Sequence, residues 1–412
     1  MGYRVAGIDI HKKVIMVVVL DVEAMDTPPA RRRFGTCPSD LQMMALWLRE
    51  HEVEEAVMES TAQYWKPIWY QLEGQMRLEL AQAFSNRAPR GRKHDFRDAE
   101  RLIRRLVADE LTLSFVPGPE QRIWRSMTRM KVQLARDRGR VHCQLEALLE
   151  EMRIKLSSVL TDLLGVSGQR ILLALAEGET DPDRLAALAD DRVRCTKEKL
   201  ADALSGRIHP VHQRLLRLHL ERLQLIDRQL EELNREIAHA MKAHEDAVVR
   251  LAKVTGFGPD SAQQLIAEVG PRATTFPSAG RFTSWAGTNP GQEESAEQNR
   301  SSRSAKGNIY VRRILTETAQ AAVKTKGSHF QQVFRRLMPR LGYKQALWAV
   351  VNRLARVVWK ILHDGVEFIE QSPERDGKAA KKRAEVLARA LRKLGYQVQL
   401  SPLRTKVAEQ PT

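Results

Sequence analysis

Cysteine is almost absent from the 412-residue chain: Cys37, Cys143 and Cys195 lie far apart and form no Cys-x-x-Cys pair. That excludes a disulfide framework and a thiolate zinc site, and reduced structural thiols are expected. Long apolar runs are missing as well. The longest, residues 14–20, is strand-sized, far short of the roughly 20 residues a membrane helix needs, and no signal-peptide pattern precedes it. A cytoplasmic protein without a membrane partner is expected. Acidic residues are in deficit, 51 Asp and Glu against 67 Lys and Arg, which leaves a net charge of +16. Such a surface selects a polyanion, and nucleic acid is the first candidate. Hydrophobic residues, at 43%, suffice for real cores, and 412 residues support two or three domains.

Residues 3–36 read as strands. Two β-rich runs, 4–9 and 14–20, flank the polar His11-Lys12-Lys13 and suggest a hairpin with an acid, Asp9, at the end of its first strand. A helix is predicted over 40–50 from Leu41, Met44, Leu46 and Leu48. A strand over 54–58 ending at Glu59, a helix over 64–72 and a strand over 77–84 follow. Strands interspersed with helices indicate an α/β layer with a partly parallel sheet. From Asp95 onward the chain turns helical. Ile123, Met127, Met130, Leu134, Val141, Leu145 and Leu148 mark one face of a helix over 120–154. Leu216, Leu220, Leu223, Ile226, Leu230, Leu233, Ile237 and Met241 alternate spacings of three and four, a pattern shared by a coiled coil and a long helix packed inside its own domain. Thr255-Gly-Phe-Gly258 between two short helices has the form of a helix-hairpin-helix turn, whose backbone N–H groups can approach phosphate. A polar stretch over 289–306 precedes further helix from Ile309, over 330–337 and over 344–362. Beyond Ser372 a basic tail with Lys378 and Arg383 is expected to be an appended helix and a loose end.

Four carboxylates stand out by placement. Asp9 and Glu59 end strands, and Asp95 and Asp98 sit three apart where a helix starts, so they share a face. Strand ends of a parallel sheet gather at one edge, and a helix across that edge could bring the four together. Such a cluster repels itself unless a hard divalent cation, Mg²⁺ or Mn²⁺, is bound, and such ions activate the attacking oxygen and stabilise the leaving oxygen in phosphodiester chemistry. Structural uses compete for each acid: helix capping for Asp95, Asp98 and Glu59, and a turn for Asp9. Beside the acids, Arg87, Arg90, Arg92, Lys93, Arg97, Arg101, Arg104 and Arg105 form a basic segment suited to phosphates, or to a solvated helix face.

The segments Gly7-Ile-Asp9-Ile-His-Lys-Lys13, Met58-Glu59-Ser-Thr-Ala-Gln-Tyr-Trp65 and Lys93-His-Asp95-Phe-Arg-Asp98-Ala99 resemble the three acidic motifs of the DEDD insertion-sequence transposases. The C-terminal part resembles the same family through Val254-Thr-Gly-Phe-Gly258, Phe282-Thr-Ser-Trp-Ala-Gly287, Asn289-Pro290, Glu294-Ser295-Ala296 and Lys306-Gly-Asn308-Ile-Tyr-Val-Arg312-Arg313. Together these motifs cover roughly residues 4–320.

The resemblance implies an α/β ribonuclease H-like (RuvC-like) N-terminal domain over 1–115 and a helical, coiled-coil arm over 116–245. It implies a mostly helical transposase domain over 246–365, with a basic tail over 366–412. It implies that Asp9, Glu59, Asp95 and Asp98 bind Mg²⁺ (or Mn²⁺), while Ser295 attacks DNA and forms a phosphoserine intermediate. Ala296 stands where the family usually has Gly, and Ser301, Ser302 and Ser304 are neighbouring alternatives. A hydroxyl needs a metal or a base to become a nucleophile, which a carboxylate–metal cluster of the same or another subunit could supply. Arg92, Lys93, Arg97, Arg101, Lys306, Arg312 and Arg313 are the candidate phosphate contacts. The implied partners are donor and target DNA, a guide (bridge) RNA whose pairing selects sequence, and further copies of the chain in a dimer or tetramer. The competing readings are a metal-dependent, junction-resolving nuclease without a covalent intermediate, and a non-catalytic nucleic-acid-binding protein.

Overall fold

The computed structural model describes residues 2–24, 27–60, 62–86, 95–291, 293–295, 298–301 and 304–370, with scattered positions between 385 and 399. Of residue 95 and of residues 293–295 and 298–301 only the backbone is described. Arg92, Lys93, Ala296, Ser302 and the basic run over 378–383 lie outside the described residues, as do the side chains of Asp95, Ser295 and Ser301. The chain divides into two compact units, Met1–Gly118 and Pro119–Thr412.

The first unit is a five-stranded sheet with helices on both faces. Strands β1 (Arg4–Ile10) and β2 (Ile15–Asp21) form the expected hairpin, and β3 (Ala30–Phe34) pairs antiparallel with β2. After α1 (Pro38–Glu50), β4 (Glu55–Glu59) pairs parallel with β1. After α2 (Trp65–Leu72), β5 (Arg77–Ala81) pairs parallel with β4, giving the order β3-β2-β1-β4-β5. Side chains alternate across a strand. Ala6, Ile8, Ile10, Ala56 and Met58 join Met44, Leu48, Ile68 and Leu72 of α1 and α2 in one core. Residues of opposite parity, Val5 and Val18, pack instead with Ala99 and Ile103 of α3 (Asp95–Val107). In α1 the apolar face departs from expectation: Trp47 is buried and Leu46 is exposed.

The second unit is helical. Helices α4 (Pro119–Glu151) and α9 (Pro210–Ala240) lie antiparallel, since Val141 meets Leu223 and Ile226 while Leu145 and Leu148 share a core with Leu216 and Leu220. The heptad stripe of α9 is therefore spent inside the chain. The face expected for α4 shifts in its first turns: Ile123 and Met130 are exposed, and Trp124, Thr128 and Val132 are buried. Between the two long helices in sequence, α5 (Leu156–Val159), α6 (Val166–Glu177), α7 (Pro182–Ala187) and α8 (Lys197–Leu204) pack onto the far end of the pair and share one core with it. A second apolar stripe of α9, comprising Val211, Leu215, Leu218 and Leu225, stays exposed.

The remainder comprises α10 (Glu245–Ala252), α11 (Pro259–Val269), α12 (Ala279–Ala286), the two-stranded β6 (Glu293–Ser295) and β7 (Gln298–Ser301), α13 (Ile309–Lys324) and α14 (His329–Asp364). Helix α14 breaks at Gly342, φ +74°, just after Pro339, which explains the two separate helices read from the sequence. The turn between α10 and α11 has Gly256 at φ +92°, where a Cβ would come within 2.4 Å of the Thr318 carbonyl oxygen. The helix-hairpin-helix turn is thus packed against α13 through that glycine. Residues 366–370 turn back on the unit: Phe368 stacks on Phe330, and Glu370 accepts from the His329 amide at 2.8 Å. No described helix is long and apolar enough to cross a membrane.

Candidate catalytic sites of the two units

In the first unit the register places Asp9 and Glu59 side by side. Ile8 is opposite Met58 on the parallel pair β1 and β4, so the next residue of each strand is the acid. Both have the parity of Val5 and Val57, the face that α3 covers. Helix α3 comes close because β1 carries glycine there. A Cβ on Gly7 would lie 2.0 Å from the Ala99 carbonyl oxygen, so only hydrogen permits this approach. Asp98, the neighbour of Ala99, belongs to the first turn of that helix, and Asp95 opens it.

The described acids are held by polar partners. His11 Nε2 lies 3.1 Å from Asp9 Oδ2. Asn86, which is buried, donates to Glu59 Oε2 at 2.8 Å and accepts from Arg101 Nε at 3.4 Å. Arg101 also pairs with Asp98 at 2.8 Å, so a chain of contacts runs Glu59–Asn86–Arg101–Asp98 across the sheet–helix junction. Among the described residues the carboxylates of Asp9, Glu59 and Asp98 are not drawn within 4.8 Å of one another as a set; the group that is comprises His142, Cys143 and Glu146 on α4. The capping and turn alternatives are not realised for two acids. Glu59 is far from the start of α2, whose N-cap is Tyr64, and Asp9 lies within β1 paired with Met16. Carboxylate oxygens at the ends of adjacent parallel strands, with a third on the covering helix, suit a hard divalent cation. Arg97 is exposed, whereas Arg101 is committed to Asp98 and Asn86.

In the second unit Ser295 ends β6 and pairs with Gln298, so it stands beside the tip of the hairpin. The segment that carries this hairpin is pinched at its base. Gly287, φ +68°, caps α12; a Cβ on it would lie 2.7 Å from the Ala305 oxygen, and one on Gly307 would lie 2.3 Å from the Ala286 carbonyl carbon. Backbone thus crosses on backbone. Asn308 follows and caps α13, its Oδ1 accepting from the amides of Tyr310 and Val311 at 2.9 and 3.1 Å.

Asn308 Nδ2 donates to Glu268, which is 1% exposed, at 2.8 Å. Arg129 grips the same carboxylate with two bonds, at 2.8 and 2.9 Å, and Arg125 lies 3.4 Å away. Burial pushes the Arg125 guanidinium down to about 10, against the pull of Glu268. Arg129 is half-buried, and its bond and charge pairing with Glu268 outweigh the desolvation and hold it above its ordinary value. This hub ties α4, α11 and the start of α13 together. No sequence signal marked it, because Glu268 sits alone among the apolar Leu265, Ile266, Ala267 and Val269.

The cations expected to touch phosphate have diverse surroundings. Lys306 is exposed. Arg312 donates to the carbonyls of Gly287 and Ala305 at 3.0 and 2.8 Å and lies 4.8 Å over the Trp348 ring. Arg313 bonds Glu317 at 2.8 Å and Gln264 at 2.5 Å. Ser304, a competitor for the nucleophile, accepts from Trp348 Nε1 at 2.6 Å.

Two family descriptions match the chain: a DEDD-type IS110 "Transposase" domain over residues 6–154, and "Transposase IS116/IS110/IS902 family" over residues 249–335. A protein of Pseudomonas aeruginosa whose name assigns it to the family 20 transposases is 28% identical over 309 residues, 73% of this chain and 81% of that protein. One of Sinorhizobium fredii, named as the transposase y4pF/y4sB, is 26% identical over 191 residues, 45% of this chain and 48% of its own.

Proposed function

Since the chain is a DNA transposase carrying the domains of the DEDD IS110 family, with the divalent-metal dependence and DNA binding such domains imply, we propose that it cuts and rejoins DNA through a serine nucleophile. Ser295 Oγ attacks a backbone phosphorus, and the oxygen–phosphorus bond of a phosphoserine forms. The bond to the adjoining DNA oxygen breaks, and that strand leaves as a free hydroxyl after taking up the serine proton. Attack by another DNA hydroxyl on the phosphoserine then rejoins strands and returns the serine.

Asp9, Glu59, Asp95 and Asp98 are the residues that would hold Mg²⁺ or Mn²⁺. The ion supplies charge neutralisation and an acidified hydroxyl at the phosphate. The protein's own residues orient these acids: His11 at Asp9, and Asn86 with Arg101 between Glu59 and Asp98. The observation that carries the reading is the adjacency of Asp9 and Glu59 under α3, in a chain whose other unit presents a serine beside a hairpin tip. The strand order β3-β2-β1-β4-β5 supports a RuvC-like, ribonuclease H-type identity for the first unit.

Guidance by a bridge RNA is proposed on the family likeness, and the +16 charge favours it. Assembly as a dimer or tetramer is supported by the exposed stripe Val211, Leu215, Leu218 and Leu225. The test is Ser295→Ala with purified protein, guide RNA and donor and target DNA. Covalent protein–DNA adducts, seen as a shifted band in denaturing gels, are expected to vanish. Their persistence rejects the serine role, and metal-dependent cleavage to free ends that ignores Ser295 points to a junction-resolving nuclease.

A further inference from the structure

A groove of 980 Å³ in the second unit lies against the pinched base of the hairpin segment. Thr288 and Pro290 at one end of that segment, and Ser304 at the other, form one wall. The opposite wall is α14 beyond its break at Gly342 and carries Lys344, Trp348, Arg353 and Arg356. Among the described residues no acid lines the groove. None of Arg312, Lys344, Arg353 and Arg356 has a carboxylate partner among the described residues. Four cations gathered around a cavity with no counter-charge among the described residues suit a polyanion.

The aromatic residue is held by its neighbours. Trp348 Nε1 donates to Ser304 Oγ, which fixes the indole. The Arg312 guanidinium lies 4.8 Å over its ring, with two carbonyl contacts holding that guanidinium in place. The indole, fixed by this guanidinium and by Ser304, is half-buried, and its remaining exposed surface is a platform for a flat group. On the floor Asn352 bonds Thr288 O at 3.3 Å and Asn289 Oδ1 at 2.9 Å, and Arg356 bonds Asn352 Oδ1 at 3.1 Å. The wall is therefore joined to the stem that leads to Ser295.

We propose that this groove binds a single-stranded nucleotide of the DNA strand being processed. Its base lies on the exposed surface of Trp348 and its flanking phosphates meet Arg353, Arg356 and Lys344. The inference rests on the transposase reading. The DNA strand is favoured over RNA because both stems of the serine-bearing segment border the groove, so its occupant is contiguous with whatever the hairpin touches. Holding one nucleotide outside the duplex would fix the scissile phosphate next to the serine, with no base identity required.

The experiment uses the full-length protein and a 12-nucleotide single-stranded DNA containing one 5-bromodeoxyuridine, with an RNA of the same sequence and a DNA duplex as parallel arms. Irradiation is expected to crosslink the DNA to Trp348, mapped by mass spectrometry. Trp348→Leu is expected to weaken binding roughly tenfold or more, while Trp348→Phe, which keeps a ring, loses much less. Arg353→Gln with Arg356→Gln is expected to reduce the slope of log affinity against log salt by about 1.4, two phosphates at about 0.7 each. The proposal is overturned if single-stranded DNA crosslinks elsewhere, if these variants bind it as wild type does, or if the RNA takes the Trp348 crosslink and excludes the DNA. In those cases serine-dependent adducts still form and the transposase reading stands. Loss of that reading would instead show as absence of adducts and of binding in every DNA arm.

Discussion

Gly7→Ala tests whether the close approach of α3 to β1 positions the acids proposed to hold metal. The added Cβ would lie 2.0 Å from the Ala99 carbonyl oxygen, 2.8 Å from its carbon and 2.9 Å from Ile103 Cγ1. Ordinary contact needs about 3.5 Å, so helix and strand must separate by roughly 1.5 Å. Backbone meets backbone here, and no side chain can swing aside. Overpacking of this kind costs about 1–3 kcal/mol, which a stable unit survives. The shift carries Asp98 and Asp95 away from Asp9 and Glu59, and a misplacement of about 1 Å lowers rates roughly 100-fold. The assay is metal-dependent DNA strand cleavage under single-turnover conditions with a Mg²⁺ titration, beside circular dichroism to verify folding. The expected result is about a 100-fold slower reaction with a weakened metal response. Gly139→Ala is the control: it lies inside α4 with nothing within 4 Å of its built Cβ, and it should leave cleavage unchanged. A folded Gly7→Ala protein that cleaves within threefold of wild type refutes the argument.

Three further outcomes are expected. Glu268→Gln removes the buried charge that Arg129 grips with two bonds and that lies 3.4 Å from Arg125, and should cost about 3–5 kcal/mol, lowering the melting temperature by roughly 10 °C; an unchanged melt would show that the hub is dispensable. Asn86→Ala removes the donor to Glu59 and should raise the metal concentration for half-maximal cleavage about 10- to 100-fold, with the titration midpoint as readout. Tyr3 donates to Glu55, and burial together with that bond raises its phenol to about 12. The unfolded phenol titrates near 10, so its stabilisation is complete below pH 10 and is lost between pH 10 and about 12; Tyr3→Phe should flatten that alkaline limb of a stability–pH curve.

The β1–β2 hairpin was legible because apolar runs of strand length flank a short polar turn, and the positions of Asp9 and Glu59 at the ends of neighbouring strands followed from the same apolar runs. The face of α4 was misread for a physical reason. Its first turns meet α11 through Arg125 and Arg129, and the buried Thr128 returns its hydroxyl to the Trp124 carbonyl of the same helix, so polar side chains stand on the inward face and Ile123 and Met130 point outward. The heptad of α9 was visible, but a repeat names no partner, and the chain itself supplies one in α4. Glu268 was hidden because one acid among apolar neighbours carries no pattern until its two arginines, more than 130 residues away in sequence, arrive. Trp348, Arg353 and Arg356 were hidden for a similar reason, since a chain rich in arginine gives no sign of which ones line a cavity.

The antiparallel pair α4 and α9 has a mechanical consequence. At about 1.5 Å per residue, the 33 residues of α4 extend roughly 50 Å. One end is clamped by the Glu268 hub, and the other carries the core of α5 to α8. A rotation of about 5° at the clamped end would move that core by roughly 4 Å, so the pair behaves as a lever whose short arm is a buried ion pair. Anything bound to the distal core would be read at the hub as torque on Arg125 and Arg129, one turn of helix apart, whose common partner Glu268 also accepts from Asn308, the cap of α13.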